Sequence, residues 1–440
     1  MKNSKKGLKK SIGFTAAFST VVGTVIGTGV FFKTSAVTQY TGSASLAMFA
    51  WFLAGLITIC AGLTVIELAA MFPKTGGLTR YISHSYGKFW GFLAGWAQAI
   101  VYFPANVAAM SIAFGTQVAN LFDLNISAII PIAFLCACLV FGVNFISIKV
   151  AGRVTTVALV FKLIPLVAII ILGFFHQGSG TISFFPISTT ADHPFWTSLG
   201  QGLLAIMFAY DGWIHVGNIA GEMKNPKRDL PIAISAGIGL IMVIYLLFNA
   251  VSYWILPVSD IAGNMNVAAD VAKVIFGDIG GKIITIGILI SVFGGVNGYV
   301  MTGMRIPYYM GQRDELPFSS RFKKLNDAGV PFFAGLVQLV IAGIMMLSGQ
   351  FDAITNMLTF VIWLFYTLAF VAVIKLRRTD AEVERPYKVP GYPIIPAVAI
   401  LGGLFILITT LITQFQITAI GLVITLVGVP IYFYMQRKKN

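Results

Sequence analysis

The stretch GTVIGTGVFF, residues 23–32, lies in the first long apolar run and places Gly23, Gly27 and Gly29 within seven positions. It suits a continuous membrane helix poorly, because glycine in a helix interior is unfavourable by about 1 kcal/mol relative to alanine. Gly23 and Gly27 form a GxxxG pair, a spacing that lets helices pack closely in lipid. That accounts for Gly23, but not for Thr28 set between Gly27 and Gly29. Two glycines around a hydroxyl permit an unwound turn, and unpaired backbone at membrane depth is tolerated only where it lines a protein cavity. The half-helix that starts beyond such a turn presents free N–H groups and the positive end of its dipole, an arrangement suited to a carboxylate.

The surrounding composition is that of a polytopic membrane protein. Of 440 residues, 57% are hydrophobic and 10% charged, whereas soluble domains carry about a quarter charged. The basic start followed by an apolar run resembles a secretory leader. The run over 12–32 is too long for one and lacks a small-residue exit, so it is read as an uncleaved first span. Runs long enough to cross a core of roughly 30 Å fall near 12–32, 44–71, 89–119, 126–146, 151–174, 196–219, 231–256, 279–304, 332–348, 353–374, 394–413 and 417–435. They predict an all-α chain of twelve spans. Cys60, Cys136 and Cys138 all lie inside these runs and are expected to be packing residues without a disulfide framework.

The net charge of +14 is distributed as topology rather than as a nucleic-acid patch. With the N-terminus inside, 26 of the 30 Lys and Arg fall in cytoplasmic segments. Lys33, Lys273 and Lys282 fall outside, and Lys162 falls within a span. Both termini are therefore expected in the cytoplasm, with the protein in the plasma (inner) membrane of a cell and lipid as its surroundings.

A second interruption, Phe208-Ala209-Tyr210-Asp211-Gly212-Trp213, stands at mid-depth in the sixth span. Five crossings separate the two, so they run in opposite directions, as an inverted repeat of five spans and five requires. The expected organisation is an N-tail at 1–11, a first repeat at 12–174, an outer loop at 175–195 and a second repeat at 196–374. A cytoplasmic loop with spans 11 and 12 follows at 375–435, then a C-tail at 436–440.

Three ionisable side chains lie well within the expected spans, and such groups are costly in lipid and usually functional. Lys162 stands about twelve residues from either end of its span, roughly 18 Å, too deep to snorkel. Its plain alternative is a salt bridge to a neighbouring carboxylate, and nearby Pro165 points to local helix irregularity. Asp211 lies in the second interruption, where a carboxylate and unwound carbonyls suit an ammonium group, although it is also placed to cap a following half-helix. Glu67, near the cytoplasmic end of span 2, reads as a solvated or gate-pairing residue. His215, one turn past Asp211, reads as packing, and Asn297 and Asn356 as residues that either line a cavity or hold helices together.

Four motifs in order identify a resemblance that covers nearly the whole chain: GTVIGTGVFF in span 1, ELAAMFPKTGGLTRYI after span 2, FAYDGW followed by GEMKNPKRDLPIAI around span 6, and RPYKVPGYPIIP before span 11. The chain resembles the amino acid, polyamine and organocation transporter superfamily and, within it, the L-type amino acid transporters and bacterial relatives of the serine/threonine exchanger kind. The resemblance implies a LeuT-like fold and sodium-independent exchange of amino acids by alternating access. It places the substrate carboxylate on the backbone of the first motif, with Val25, Gly27, Thr28 and Gly29 as site residues. The amino group falls on Phe208, Ala209, Tyr210 and Asp211, with Asn356 as a further candidate. Lys162 is implied to stand about where sodium-coupled relatives hold an ion.

Two departures follow. The loop at 122–125 has no cysteine, where animal L-type chains carry one for a heavy subunit, so no disulfide partner is expected. Position 211 is glycine in some relatives and aspartate in others, including some that take cationic amino acids, which leaves a cationic or polyamine carrier open beside a small neutral one. A proton-coupled symporter is the other alternative. No cofactor, metal or nucleic acid is expected, and no enzyme chemistry, since His215 has no nucleophile or base partner in adjacent turns.

Overall fold

The computed structural model describes residues 13–72, 76–146, 148–180, 185–189, 194–214 and 223–438. The expected N-tail, His215 and whatever follows Ile214 up to residue 222 lie outside them. The chain begins with α1 (Phe14–Val25) and α2 (Gly29–Thr41), then α3 (Ala44–Met71), α4 (Gly77–Tyr86), α5 (Lys88–Ala97), α6 (Phe103–Leu121), α7 (Ile129–Ile146), α8 (Ile148–Gly173) and α9 (Phe195–Ala209). It continues with α10 (Pro226–Ile255), α11 (Val258–Ile261), α12 (Val267–Gly303), α13 (Arg305–Gln312), α14 (Ser319–Phe322), α15 (Phe332–Met346), α16 (Phe351–Thr379), α17 (Ile394–Thr413), α18 (Phe415–Leu426) and α19 (Gly428–Arg437).

Among the described residues, eight helices or joined helices are long and apolar enough to cross a membrane, nine with the bent pair α1–α2. Three shorter apolar helices accompany them, at Phe161–Gly173, Phe195–Ala209 and Phe332–Met346. Large apolar side chains stand exposed on α7 (Leu135, Leu139), α17 (Leu401, Ile408, Ile412) and α18 (Ile420, Val423). Apolar surface on that scale has no place in water and is the face a multi-pass protein turns to lipid.

The helix ends follow local chemistry. Gly42, at φ 66°, ends α2, and the Ser43 side chain accepts from the Leu46 N–H at 3.2 Å to start α3. The expected span at 279–304 is the second part of α12, which bends at Gly277 (φ 71°) and takes in much of the stretch between the expected spans at 231–256 and 279–304. Between α5 and α6 the chain makes a π-helical turn at Gln98–Tyr102. Pro104 follows directly, and its missing N–H removes one α-helical hydrogen bond there, consistent with the looser turn.

In the interior α2 packs on α9, α1 on α10, and α12 along both α6 and α8. Glu67, buried at the end of α3, is paired rather than solvated. Arg377 of α16 donates to both of its oxygens at 2.9 and 2.6 Å, Arg385 lies 3.4 Å away, and the Val389 N–H donates at 2.8 Å. One carboxylate thus ties α3 to α16 and to the segment leading into α17.

Candidate functional site

The site is built from two places where helices stop. α1 ends at Val25, Ile26 is extended (φ −68°, ψ 104°), and α2 restarts at Gly29 after a bend of 48°. No carbonyl among the described residues accepts from the N–H of Gly27 or Thr28, and the first turn of α2 has no preceding helix to supply acceptors. Thr28 is fully buried and its hydroxyl has no hydrogen-bond partner. An unpartnered buried hydroxyl costs about 1–3 kcal/mol.

α9 stops at Ala209. Tyr210 and Asp211 turn, and Gly212 takes φ 107°, a left-handed conformation that favours glycine. A side chain at Gly212 would also lie 2.7 Å from the Thr24 carbonyl oxygen, so the second break rests directly on the first. Gly29 touches the same junction, since a Cβ there would overlap the Cα and Cβ of Ala209. The start of α2, with its amides and positive dipole end, therefore meets the finish of α9, with its carbonyls and negative end.

Three groups bond to this junction. The Lys162 ammonium, reaching in from α8, donates to the carbonyl of Ile26 at 2.6 Å and to that of Gly23, occupying acceptors at the end of α1. It bonds to carbonyls rather than to the carboxylate of the alternative reading. The Tyr245 hydroxyl, from α10, lies 3.0 Å from the Ala209 carbonyl and 3.3 Å from that of Val25, and so spans the two breaks. Asp211 is buried, and its carboxylate accepts from Tyr102, the last residue of the π-helical turn, and from Tyr366 of α16 at 3.1 Å. Tyr210 points elsewhere, its hydroxyl 3.3 Å from the Trp51 carbonyl.

A cavity of about 320 Å³ leads away from the first break along α1, lined by Gly23, Gly27, Lys162, Ser291, Tyr299 and Thr302 among others. Gly23, expected at a helix–helix contact, lines this cavity. On the opposite side, along α2, Phe208 packs edge-on against Phe351 with ring centroids 5.8 Å apart.

The expected residues Val25, Gly27, Thr28, Gly29, Ala209, Asp211 and Lys162 thus meet around the two breaks. Asn356 does not join them. Its amide donates to Tyr40, near the far end of α2, and to Gln414, the role of holding helices together. Asn297 accepts from Asn144 at 2.7 Å. Tyr102, Tyr245 and Tyr366 were not foreseen: a tyrosine in an apolar run carries no periodic signal for what its hydroxyl will meet.

A family model described as amino acid permease matches residues 12–434. The chain is 39% identical over 440 residues to the serine/threonine exchanger SteT of Bacillus subtilis (strain 168), covering 98% of each. It is 29% identical to the large neutral amino acids transporter small subunit 2 of Homo sapiens, covering 98% of this chain and 82% of that one. To the Asc-type amino acid transporter 1 of Mus musculus it is 28% identical, over 97% of this chain and 81% of that one.

Proposed function

Because the chain belongs to the amino acid permease family, we propose that it is a sodium-independent exchanger of small neutral L-amino acids such as serine, threonine or alanine. The observation that carries this reading is the meeting of the amide end of α2 with the carbonyl end of α9 at the Gly29–Ala209 contact. The N–H groups around Thr28 and Gly29 take the substrate carboxylate. Carbonyls at Phe208 to Asp211 take its ammonium: those of Phe208 and Ala209 each accept one bond already, from the Asp211 N–H and the Tyr245 hydroxyl, and a carbonyl oxygen has a second lone pair. Lys162 places its side-chain nitrogen beside the first break, bonded to the carbonyls of Gly23 and Ile26, so that no coupling ion is needed there.

The architecture we assign is twelve crossings in a LeuT-like arrangement. They are the bent pair α1–α2, α3, the joined α5 and α6, α7, α8, α9 with the turn at 210–214, α10, α12, α15, α16, α17, and α18 with α19. Basic residues concentrate at alternate ends of these segments, which supports cytoplasmic termini and a cavity that faces the cytoplasm. Transport then alternates access to the junction from either side as the first two spans of each repeat rock against the rest. The loop at 122–125 has no cysteine, so the protein works without a disulfide-linked heavy subunit.

A cationic substrate is the second reading, and Asp211 is its reason. The contacts of that carboxylate favour the neutral one, because Tyr102 and Tyr366 already bond to both of its oxygens. In liposomes loaded with unlabelled serine, labelled serine is expected to enter at least about tenfold faster than into empty ones, the signature of exchange around one alternating site. Replacing sodium with potassium should leave that rate unchanged. Equal entry into empty liposomes would replace exchange with uniport or proton symport, and competition by arginine as strong as by threonine would move the substrate class to cations.

A further inference from the structure

Lys33 is fully buried one turn beyond Gly29 in α2, and the site described above does not use it. Its ammonium lies 2.6 Å from an Asp352 carboxylate oxygen and 2.6 Å from the Thr355 hydroxyl, both on α16. It also stands 5.5 Å from the ring centroid of Phe208, at the end of α9, and 4.9 Å from that of Phe351. One charge therefore fastens α2, α9 and α16 together, on the side of the breaks away from the cavity. We propose that Lys33 and Asp352 form a latch that holds the outer face of the site shut and must part once in every transport cycle, a role that rests on the exchange reading above.

The chemistry of the pair suits a reversible closure. The Lys33 side chain is wholly buried, whereas that of Asp352 is 37% exposed, so water reaches the pair from one side only. Separating a buried ion pair leaves charges that need hydration, and here the solvent lies directly beyond Asp352. Closed, the ammonium also gains from the faces of two aromatic rings. Opening exchanges these contacts for water, the kind of near-balance a gate requires.

The path behind the latch is legible on α16. Asp352, Thr355, Thr359 and Tyr366 follow one another at spacings of three, four and seven residues, which places them on one face of a helix. The first two hold Lys33, and the last donates to Asp211 at the second break. Thr359 lies between them, buried, with a hydroxyl that has no hydrogen-bond partner. An unpartnered hydroxyl on this face is placed to become hydrated when the passage above it opens.

The test reads that hydration directly. In a protein whose Cys60, Cys136 and Cys138 are replaced by alanine, Thr359→Cys is treated in right-side-out vesicles with a membrane-impermeant thiol reagent. Lys33→Met is expected to raise the labelling rate at least about tenfold by shifting the population toward an open outer face. The exchanged pair, Lys33→Glu with Asp352→Lys, should bring the rate back toward that of the parent. If Lys33→Met does not insert, Asp352→Asn supplies the same reading. Labelling equally slow with and without the ion pair overturns the latch, as does an exchanged pair that labels as fast as Lys33→Met. Labelling needs no turnover, so a failed latch with intact serine exchange leaves the exchanger standing. Labelling as expected in a protein that exchanges no amino acid removes the exchanger instead.

Discussion

Replacing Lys162 with alanine is expected to abolish amino acid exchange while the protein still inserts and purifies as a folded species. The ammonium donates to the carbonyls of Gly23 and Ile26 at the end of α1, on the edge of the first break. Removing it leaves buried acceptors without a donor, at about 1–3 kcal/mol for each unsatisfied group. Since about 1.4 kcal/mol is a factor of ten, two such groups, at about 2–6 kcal/mol together, destabilise the broken conformation by at least about 30-fold relative to other arrangements of α1. Lys162→Met separates charge from bulk, keeping much of the side-chain volume without the ammonium, and is expected to be as inactive as alanine. Serine exchange in proteoliposomes, normalised to inserted protein, checks both variants. Activity near that of the parent in either would mean that Lys162 is only a packing residue.

Gly29→Ala is expected to bring a loss of similar size by a different route. The added methyl would overlap backbone and side-chain atoms of Ala209, so α2 and α9 must move apart at the point where their opposite ends meet. Overpacking of this kind costs typically about 1–3 kcal/mol, and the displacement separates the two groups that grip the substrate. Exchange should fall by about 100-fold, the order seen when reacting or binding groups are misplaced by about 1 Å. Adding Ala209→Gly to Gly29→Ala removes one of the clashing atoms and should recover part of the loss, since residues in direct contact are energetically coupled. If Gly29→Ala exchanges serine normally, the close approach of the two helices has no functional importance.

The breaks themselves are readable from residue types. Gly27-Thr28-Gly29 and Asp211-Gly212 oppose a continuous helix wherever they stand, and Lys162 lies too deep to reach water, so backbone and solvation chemistry locate them without any knowledge of packing. What holds the breaks is not readable in this way. Tyr245 joins the carbonyls of Val25 and Ala209 only because α10 packs beside α1 where the end of α9 meets it, and that proximity is a property of the assembled bundle. Lys33 was expected as an outside charge, and the fold instead buries it against Asp352, more than 300 residues away in the chain. Asn356 left both of its readings open because a polar residue in an apolar helix needs some partner, while its spacing does not reveal which. The turn at Gln98–Tyr102 had a partial signal in Pro104, which removes an N–H, although proline alone does not distinguish a kink from a π-helical turn.

Whether peptide groups at the two breaks grip the two ends of an amino acid is decided by the structure of the protein with L-serine bound. The serine carboxylate is expected about 3 Å from the N–H groups around Thr28 and Gly29 and its ammonium at the same range from carbonyls between Phe208 and Asp211. Serine lodged instead in the cavity along α1, with its carboxylate paired to Lys162 and the amides at Thr28 and Gly29 left empty, would contradict it.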